Sequence, residues 1–299
     1  MNLNQNCPLC AADGQELFQV HGFWIRECPI CIHRWATVGT TDGHVDRVYD
    51  DTYFTGGGAG YPDYISEGPL LRDHGRRYAQ LINRYVQPGT VLDVGAAAGF
   101  FLQGFADMGW EVRGIEPNET MARYAGELSG IHVTTGVFEE YDDGERFDLV
   151  SMIQVLPHLV DPKKAMVRAA LLTKPGGHLL IETWNRRSWT ARLWGKRWHE
   201  YSPPSVLHWF TPSSVQNLAE EAGFTEIATG RPKKRLSGAH LKSLLKFKLE
   251  NVPLNRLIRF FVAPIPNRLT LPYPAEDLFW SLFQIPHREV TPKSGEAHP

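Results

Sequence analysis

The sequence predicts an α/β protein with a mostly parallel sheet of seven strands, preceded by a small metal-binding module. Three observations lead to this prediction. Strand-like and helix-like segments alternate between residues 76 and about 230, as they do when crossover helices join parallel strands. The stretch VLDVGAAAGFF (Val91–Phe101) reads as a buried strand that stops at a glycine and continues as a helix. The four cysteines form two C-x2-C pairs near the N-terminus.

The N-terminal module is predicted from the cysteine spacing. Seventeen residues separate the pair Cys7 and Cys10 from the pair Cys28 and Cys31. In a reducing cytosol such pairs indicate a metal site rather than disulfides, and four thiolates complete the tetrahedral shell of a structural Zn2+ ion. A redox pair is the alternative. We expect His33 to lie on the surface and not to be a ligand.

Composition divides the chain into four parts. We expect a zinc-ribbon-like domain at residues 1–40, followed by a linker and lid segment at 41–75. A main domain should cover residues 76–286 and a disordered tail residues 287–299. The ribbon is predicted to contain a short apolar strand, Leu17–Ile25. The glycine-rich stretch Thr55–Tyr64 is either a lid over the site or a passive connection. The main domain is expected to carry an insertion at about 231–276.

Within the main domain, apolar periodicity and turn residues predict the elements in order. Pro-Gly at residues 88–89 ends the first predicted helix, and Gly223 ends the last. The predicted helices are Arg76–Tyr85, Phe100–Met108, Thr120–Leu128, Pro162–Leu172 and Thr211–Ala222. The predicted strands are Thr90–Val94, Glu111–Ile115, His132–Thr134, Phe147–Ile153, His178–Thr183, Thr225–Thr229 and Leu278–Gln284.

Bulk composition narrows the class of protein. An apolar fraction of 42% in 299 residues supports a large core. The 31 Lys and Arg residues against 33 Asp and Glu residues give a net charge of −2, which argues against a dedicated nucleic-acid binder. No apolar run reaches the roughly 20 residues that cross a bilayer, and the N-terminus lacks the pattern of a signal peptide. A cytoplasmic location is therefore expected.

The glycine bend after Val91–Val94 indicates a nucleotide site. Ligands of doubly wound sheets bind at the carboxyl ends of the strands, and Gly95 lies at such an end. The G-x-G-x-x-G pattern of dinucleotide binders is absent, which favours a nucleoside without a pyrophosphate. Glu116, 21 residues after Gly95, ends the second predicted strand, and its carboxylate can accept two hydrogen bonds from a ribose diol. Alternatively, Glu116 caps the following helix.

Three segments carry a resemblance to a known family. VLDVGAAAGFFLQGFADMGWEVRGIEP, FDLVSMIQVLPHLVDP and KPGGHLLIETWN resemble successive motifs of class I S-adenosylmethionine-dependent methyltransferases. The chain is similar to the bacterial subgroup that begins with a cysteine-pair zinc ribbon. The resemblance implies a Rossmann-like seven-stranded sheet whose last strand is antiparallel. It also implies S-adenosyl-L-methionine as the cofactor and a structural Zn2+ ion in the ribbon.

The resemblance also assigns cofactor-binding residues. The glycine loop would contact the methionine portion, Glu116 the ribose and Phe138 the adenine. Gln154 is expected to line the same pocket. The full set implied for the cofactor is Asp93, Gly95, Ala97, Gly99, Glu116, Phe138 and Gln154. The chain departs from the family at Val137, where an acidic residue is common, so the adenine contacts would come from Phe138 and Glu139.

Three histidines are candidates for the general base. His158 follows the fourth predicted strand at the active edge, although Pro157 replaces the acidic residue that the family places before it. His199 and His208 lie in an aromatic segment, residues 194–210, whose rings suit a sugar or an aromatic acceptor. Alternatively, His158 orders its loop, and the aromatic segment is a structural cap on the sheet.

The sequence therefore predicts methyl transfer to a small molecule, with an oxygen of a sugar, a glycan precursor or a secondary metabolite as the acceptor. An RNA methyltransferase and a non-catalytic scaffold are the alternatives. Only the ribbon and the basic run Arg231–Arg235 favour RNA. Residues 231–262 are predicted to wall the acceptor pocket with a solvated basic face, and peripheral membrane contact is the alternative.

Overall fold

The structure is a computed structural model that describes residues 5–40, 43–55, 63–239, 241–242, 264–266, 269–272 and 275–287. Its strands are β1 (Gln15–Val20), β2 (Phe23–Glu27), β3 (Arg34–Ala36), β4 (Thr90–Val94), β5 (Glu111–Glu116), β6 (Val133–Thr135), β7 (Phe147–Ile153), β8 (Thr173–Trp184), β9 (His208–Trp209), β10 (Thr225–Gly230), β11 (Arg235–Ser237), β12 (Thr270–Pro272) and β13 (Leu278–Gln284). Its α-helices are α1 (His44–Val48), α2 (Asp51–Thr55), α3 (Gly68–Ile82), α4 (Phe100–Ala106), α5 (Glu119–Tyr124), α6 (Pro162–Leu172), α7 (Trp189–Trp194) and α8 (Pro212–Glu221).

The main sheet has seven strands in the order β10-β13-β8-β7-β4-β5-β6. The five strands from β8 to β6 are parallel, whereas β13 is antiparallel to both of its neighbours. This confirms the predicted Rossmann-like α/β fold with an antiparallel last strand. The inner strands are buried on both faces because helices cover both sides of the sheet.

Apolar side chains of the strands alternate between the two faces. Val91 packs on the face covered by α3 and α4, together with Phe105 and Trp110. Leu92 packs on the opposite face, in the same cluster as Leu218 and residues of α6. Caps fix where the covering helices begin: Asp161 accepts N–H bonds at the start of α6, and Thr211 forms a capping box with Ser214 at α8. The two layers hold the carboxyl ends of the parallel strands at one edge.

The N-terminal sheet differs from the prediction. The expected single strand Leu17–Ile25 is wrong, because β1 and β2 form a hairpin there. His21 and Gly22 both have positive φ values, 49° and 84°, which suit a tight hairpin turn. The sheet has the order β1-β2-β3-β9, so its last strand comes from the aromatic segment far along the chain. The domain boundaries at residues 40 and 75 remain predictions.

Other predicted bounds shift for local reasons. Helix α3 begins at Gly68 rather than Arg76, with Pro69 in its first turn. The Lys174–Gly177 stretch was expected to be a loop, but it belongs to β8, where Thr173 pairs with Phe147. From the insertion, β11 and β12 form an antiparallel pair. Residues 243–263 and 288–299 lie outside the described residues. Among the described residues, no helix is long and apolar enough to span a membrane.

Candidate functional site

A cavity of about 380 Å3 lies at the carboxyl ends of the parallel strands. Residues that end or follow β4, β5, β7 and β8 line it, which is where parallel sheets bind their ligands. We call residues 93–97, 115–117 and 136–139 the strand-end half. The outer half is formed by the lining residues between 45 and 77, between 153 and 206, and between 233 and 236.

The bend after β4 is held by backbone contacts. The N–H groups of Gly95 and Ala96 both donate to the carbonyl oxygen of Ile115, at 2.8 and 3.1 Å. Gly95 has a φ of 70°, and a Cβ atom there would lie 2.7 Å from Cγ2 of Val155. Ala97 also adopts a positive φ, 45°, although it carries a side chain. The small residues therefore keep the backbone of the bend open to the cavity.

Glu116 fixes the bend from the neighbouring strand. It is 4% exposed, and its two carboxylate oxygens accept N–H bonds from Ala97 at 2.9 Å and Asn118 at 3.0 Å. Burial raises the pKa of Glu116 to about 7, although both N–H groups act in the opposite direction. The side chain of Asn118, not Glu116, caps α5 by accepting the N–H of Met121. Each Glu116 oxygen retains capacity for a second hydrogen bond.

Six of the seven predicted cofactor residues line the cavity: Asp93, Gly95, Ala97, Glu116, Phe138 and Gln154. Gly99 is not among the described lining residues, because it lies at the N-cap of α4, facing Ala125. Asp93 accepts a hydrogen bond from Ser151 at 2.6 Å, and burial raises its pKa to about 7. Phe138 is both a core residue and a wall of the cavity.

His158 lies in the outer half with one ring nitrogen engaged. Its Nδ1 is 2.7 Å from the carbonyl oxygen of Ser205 and 2.8 Å from the hydroxyl of Tyr49, which itself donates to that carbonyl. A carbonyl can only accept, so Nδ1 carries the proton and Nε2 is left as an acceptor. Nε2 has no hydrogen-bond partner among the described residues. Burial lowers the pKa of His158.

His199 also lines the cavity, and its Nε2 lies 2.6 Å from Oε1 of Glu200. Glu200 and Asp277 are buried, and with His199 they bring three ligand-type atoms within 4.8 Å of one another. Asp277 accepts the indole N–H of Trp198 at 3.1 Å. A short contact thus already joins His199 to Glu200, and a hydrogen bond joins Trp198 to Asp277.

His208 does not belong with the other two histidines. It is 4% exposed, its Nδ1 lies 3.2 Å from Nε2 of His33, and it is not among the described residues that line the cavity. Its place in β9 turns it toward the ribbon, and we do not carry it forward as a base. The expected surface position of His33 is also wrong. His33 is 1% exposed because it packs against His208 and Phe210.

The ribbon contacts residues that lie next to the outer half in the chain. The Ala36 N–H of β3 donates to the carbonyl of Leu207, whose own N–H donates to the carbonyl of Pro157, beside His158. Arg34 donates to the hydroxyl of Tyr201 at 2.7 Å, and the side chain of Arg186 donates to the carbonyl of Ile32. The position of His158 thus depends on contacts that begin in the N-terminal sheet.

The four cysteine sulfur atoms converge. Cys7 and Cys31, and likewise Cys10 and Cys28, have Sγ atoms 3.4 Å apart. All four lie within 4.8 Å of one another and none is in a disulfide. Thiolates about 2.3 Å from a shared zinc ion would be about 3.8 Å apart, so the arrangement fits one ion. Burial opposes ionisation of Cys28, but N–H groups of Ile30 and Cys31 lower its pKa to about 7.

Sequence reasoning missed several residues of the outer half. Tyr49 lies in the linker, and its segment has no pattern that points to a site. Lys234 and Glu182 form an ion pair of 2.7 Å beside the cavity, and Tyr78 donates to the same carboxylate. The basic run in the sequence drew attention to Lys234, but its position beside Glu182 of β8 is evident only from the fold.

Comparison with known proteins gives a family. A family model described as a methyltransferase domain matches residues 70–229, which is more than half of the chain. The matched region begins in α3 and ends in β10. It therefore contains the strand-end half and all three histidine candidates.

Curated relatives match about half of the chain. The ubiquinone biosynthesis O-methyltransferase of Alkalilimnicola ehrlichii is 32% identical over 146 residues, which cover 44% of this chain and 59% of the relative. The protein of that name from Proteus mirabilis is 30% identical over 184 residues, covering 56% of this chain and 72% of the relative. The chain thus spans about three fifths of the length of the first relative.

A solved structure supports the fold. The crystal structure of a SAM-dependent methyltransferase from Archaeoglobus fulgidus is 17% identical, covers 74% of this chain and 98% of its own, and has a TM-score of 0.50. At this identity the likeness concerns the fold alone.

Proposed function

This chain belongs to the methyltransferase-domain family, and on that premise we propose that it transfers the methyl group of S-adenosylmethionine to an oxygen atom of a small molecule. The observation that carries the proposal is the buried Glu116 carboxylate, held by two amides beside an open glycine bend. The names of the curated relatives support oxygen as the accepting atom.

The strand-end half fits the donor. Its backbone between Gly95 and Ala97 would face the methionine portion, Glu116 would accept hydrogen bonds from the ribose hydroxyls, and Phe138 would lie against the adenine. Asp93 and Glu116 are acidic, which suits a donor with a positively charged sulfonium. When bound, this donor supplies an activated methyl group with a neutral sulfide as the leaving group.

The outer half fits an acceptor with a ring. Trp184 and Tyr53 line it, and such faces suit an aromatic ring or a sugar. We assign the base to His158, because Nδ1–H bonds Ser205 and leaves Nε2 as an acceptor. With the donor bound, Nε2 of His158 would take the proton of the acceptor hydroxyl as its oxygen receives the methyl group and the neutral sulfide leaves. Because burial lowers its pKa, His158 stays neutral at neutral pH and loses base function only at lower pH.

The proposal is tested by calorimetry with S-adenosylmethionine and by turnover to S-adenosylhomocysteine over a panel of phenolic and sugar acceptors. We expect His158→Gln to lower kcat by at least about a hundredfold while the affinity for S-adenosylhomocysteine changes less than about twofold. His132→Gln, an exposed histidine outside the cavity, is the control. An unchanged kcat in His158→Gln contradicts the assignment of the base, and absence of donor binding contradicts the function itself.

We also propose that Cys7, Cys10, Cys28 and Cys31 hold a structural Zn2+ ion. The support is the convergence of four sulfur atoms and the N–H bonds to Cys28, a donor set that leaves no position for substrate. The ion would stabilise the ribbon and so the contacts from β3 to the outer half. Metal analysis of the purified chain should give one zinc per chain, and its absence would refute the assignment.

A further inference from the structure

The basic residues of the cavity come from two parts of the chain. They form a set that we call the cationic wall: Arg77, Lys233, Lys234 and Arg235. Of the acidic lining residues, Asp93, Glu116 and Glu139 belong to the strand-end half, and Glu67 and Glu200 to the outer half. Three of the four basic residues belong to the basic run that stood out in the sequence and that the proposed function leaves unexplained.

Lys234 is the innermost member of the wall. Its side chain is 15% exposed, and its Nζ lies 2.7 Å from Oε1 of Glu182, a fully buried residue of β8. The hydroxyl of Tyr78 donates to the other carboxylate oxygen. The ion pair with Glu182 holds Lys234 in place, and an ammonium carries three donors, so at least two of them remain for a ligand.

The positive charge of the other members of the cationic wall is not fully balanced by carboxylates around them. Arg77 pairs with Asp73, as Lys234 pairs with Glu182. Lys233 and Arg235 have no carboxylate partner among the described residues, and Arg235 reaches only the carbonyl of Thr270, at 3.4 Å. Glu67 also lines the cavity, but burial raises its pKa and the hydroxyl of Ser237 donates to it.

A neutral histidine lies close to Glu182, the partner of Lys234. His74 lines the cavity, and its Nε2 is buried without a hydrogen-bond partner among the described residues, 3.8 Å from Glu182. Burial lowers the pKa of His74 to about 4, so the ring is uncharged at neutral pH. The wall thus combines surplus positive charge with a free hydrogen-bonding group.

We propose that the acceptor is an anionic small molecule whose phosphate or carboxylate group binds the cationic wall, with Lys234 as its inner anchor. This rests on the proposed function and narrows its substrate class. The molecule would place its anionic end at Lys233–Arg235 and its hydroxyl toward the sulfonium, so that both charges meet complementary residues. The enclosed position of Lys234 beside Glu182 favours a small molecule over a polynucleotide.

The test uses the full chain saturated with S-adenosylhomocysteine, whose binding first establishes the donor site. Calorimetry then compares catechol, 3,4-dihydroxybenzoate and inorganic pyrophosphate. We expect at least one of the two anions to bind about tenfold or more tightly than catechol, and to weaken at 0.5 M salt. Preference for 3,4-dihydroxybenzoate indicates a carboxylate acceptor, and preference for pyrophosphate a phosphate.

Variants locate the effect. Lys233→Gln and Arg235→Gln are exposed changes that should each weaken the anion about three- to tenfold, whereas Arg84→Gln removes a charge outside the cavity and should leave it unchanged. Because Lys234→Met alone leaves Glu182 unpaired, the double variant Lys234→Met/Glu182→Gln is included, with a larger expected loss.

Three results overturn the proposal. The first is binding of S-adenosylhomocysteine with no preference for either anion, a result that spares the proposed function. The second is an equal loss of anion affinity in Arg84→Gln and in the variants of the cationic wall. The third is competition by a 20-nucleotide RNA with no binding of the small anions. Loss of S-adenosylhomocysteine binding by the unmodified chain instead removes the proposed function.

Discussion

The two halves of the cavity are built in different ways. The strand-end half comes from three segments within residues 93–139, and its key contacts use backbone groups: the amides that bond Glu116 and the carbonyl of Ile115. The outer half joins side chains from the linker, the aromatic segment and the insertion, and its frame extends into the ribbon. The geometry of the strand-end half is therefore set by the main sheet. The geometry of the outer half depends on long-range contacts, which can change while the main sheet stays the same.

The largest expected effect comes from a substitution that disturbs only the strand-end half. Glu116→Ala removes the acceptor for the ribose and for two buried amides, so we expect the affinity for S-adenosylhomocysteine to fall at least about a hundredfold. Calorimetry measures it, and Glu145→Ala, an exposed acidic residue, is the matched control. Equal binding in both variants would mean that the donor does not use this carboxylate.

A second prediction concerns a substitution that disturbs only the outer half. Cys28→Ser removes one of the four thiolates and should loosen the contacts of β3 with Leu207 and Pro157. We expect kcat/KM for the acceptor to fall about tenfold or more, while the affinity for S-adenosylhomocysteine changes less than about threefold. Gln19→Ala, an exposed change in β1, should affect neither. Parallel losses of both quantities would show that the halves are not independent.

Donor binding is also expected to depend on pH through the strand-end half. Because burial raises the pKa of Glu116 to about 7, the free protein binds a proton there at lower pH. A charged carboxylate is the better ribose acceptor, so affinity should rise between pH 6 and pH 8 and fall as the pH drops through 7, by up to about tenfold per pH unit. Burial also raises the pKa of Asp93 to about 7, so variants must separate its protonation from that of Glu116.

The matched variants for this profile are Glu116→Gln and Asp93→Asn. The profile should flatten, at lower affinity, in Glu116→Gln and keep its slope in Asp93→Asn. A flat profile in the unmodified chain would show that Glu116 is already charged below pH 6.

The smallest effect concerns Ala97. Its φ of 45° disfavours a residue with a side chain, so Ala97→Gly should raise the free energy of unfolding by up to about 1 kcal/mol. The greater freedom of glycine in the unfolded chain opposes part of this gain. Denaturant unfolding measures it, with Ala170→Gly, within α6, as a destabilising control. A loss of stability in Ala97→Gly would indicate that the methyl group packs against the aromatic residues around it.

Prediction succeeded where local pattern and burial agree. Strands Thr90–Val94, Phe147–Ile153 and Leu278–Gln284 and helix Pro162–Leu172 have the predicted bounds, since apolar runs end there at caps or polar residues. The hairpin in the ribbon was missed because its turn, His21-Gly22, interrupts an apolar pattern that reads as one strand. His208 was misplaced because only the pairing of β9 with β3 reveals that it turns toward His33.

Strand β9 has a consequence for the order in which the molecule is made. The ribbon leaves the ribosome before the main domain, yet the last strand of its sheet is formed by His208 and Trp209, which are made much later. During synthesis β3 therefore presents an unpaired edge until most of the main domain has emerged. The ribbon is therefore begun before the main domain but completed late, and its final strand is made together with the segment that forms the acceptor side of the cavity.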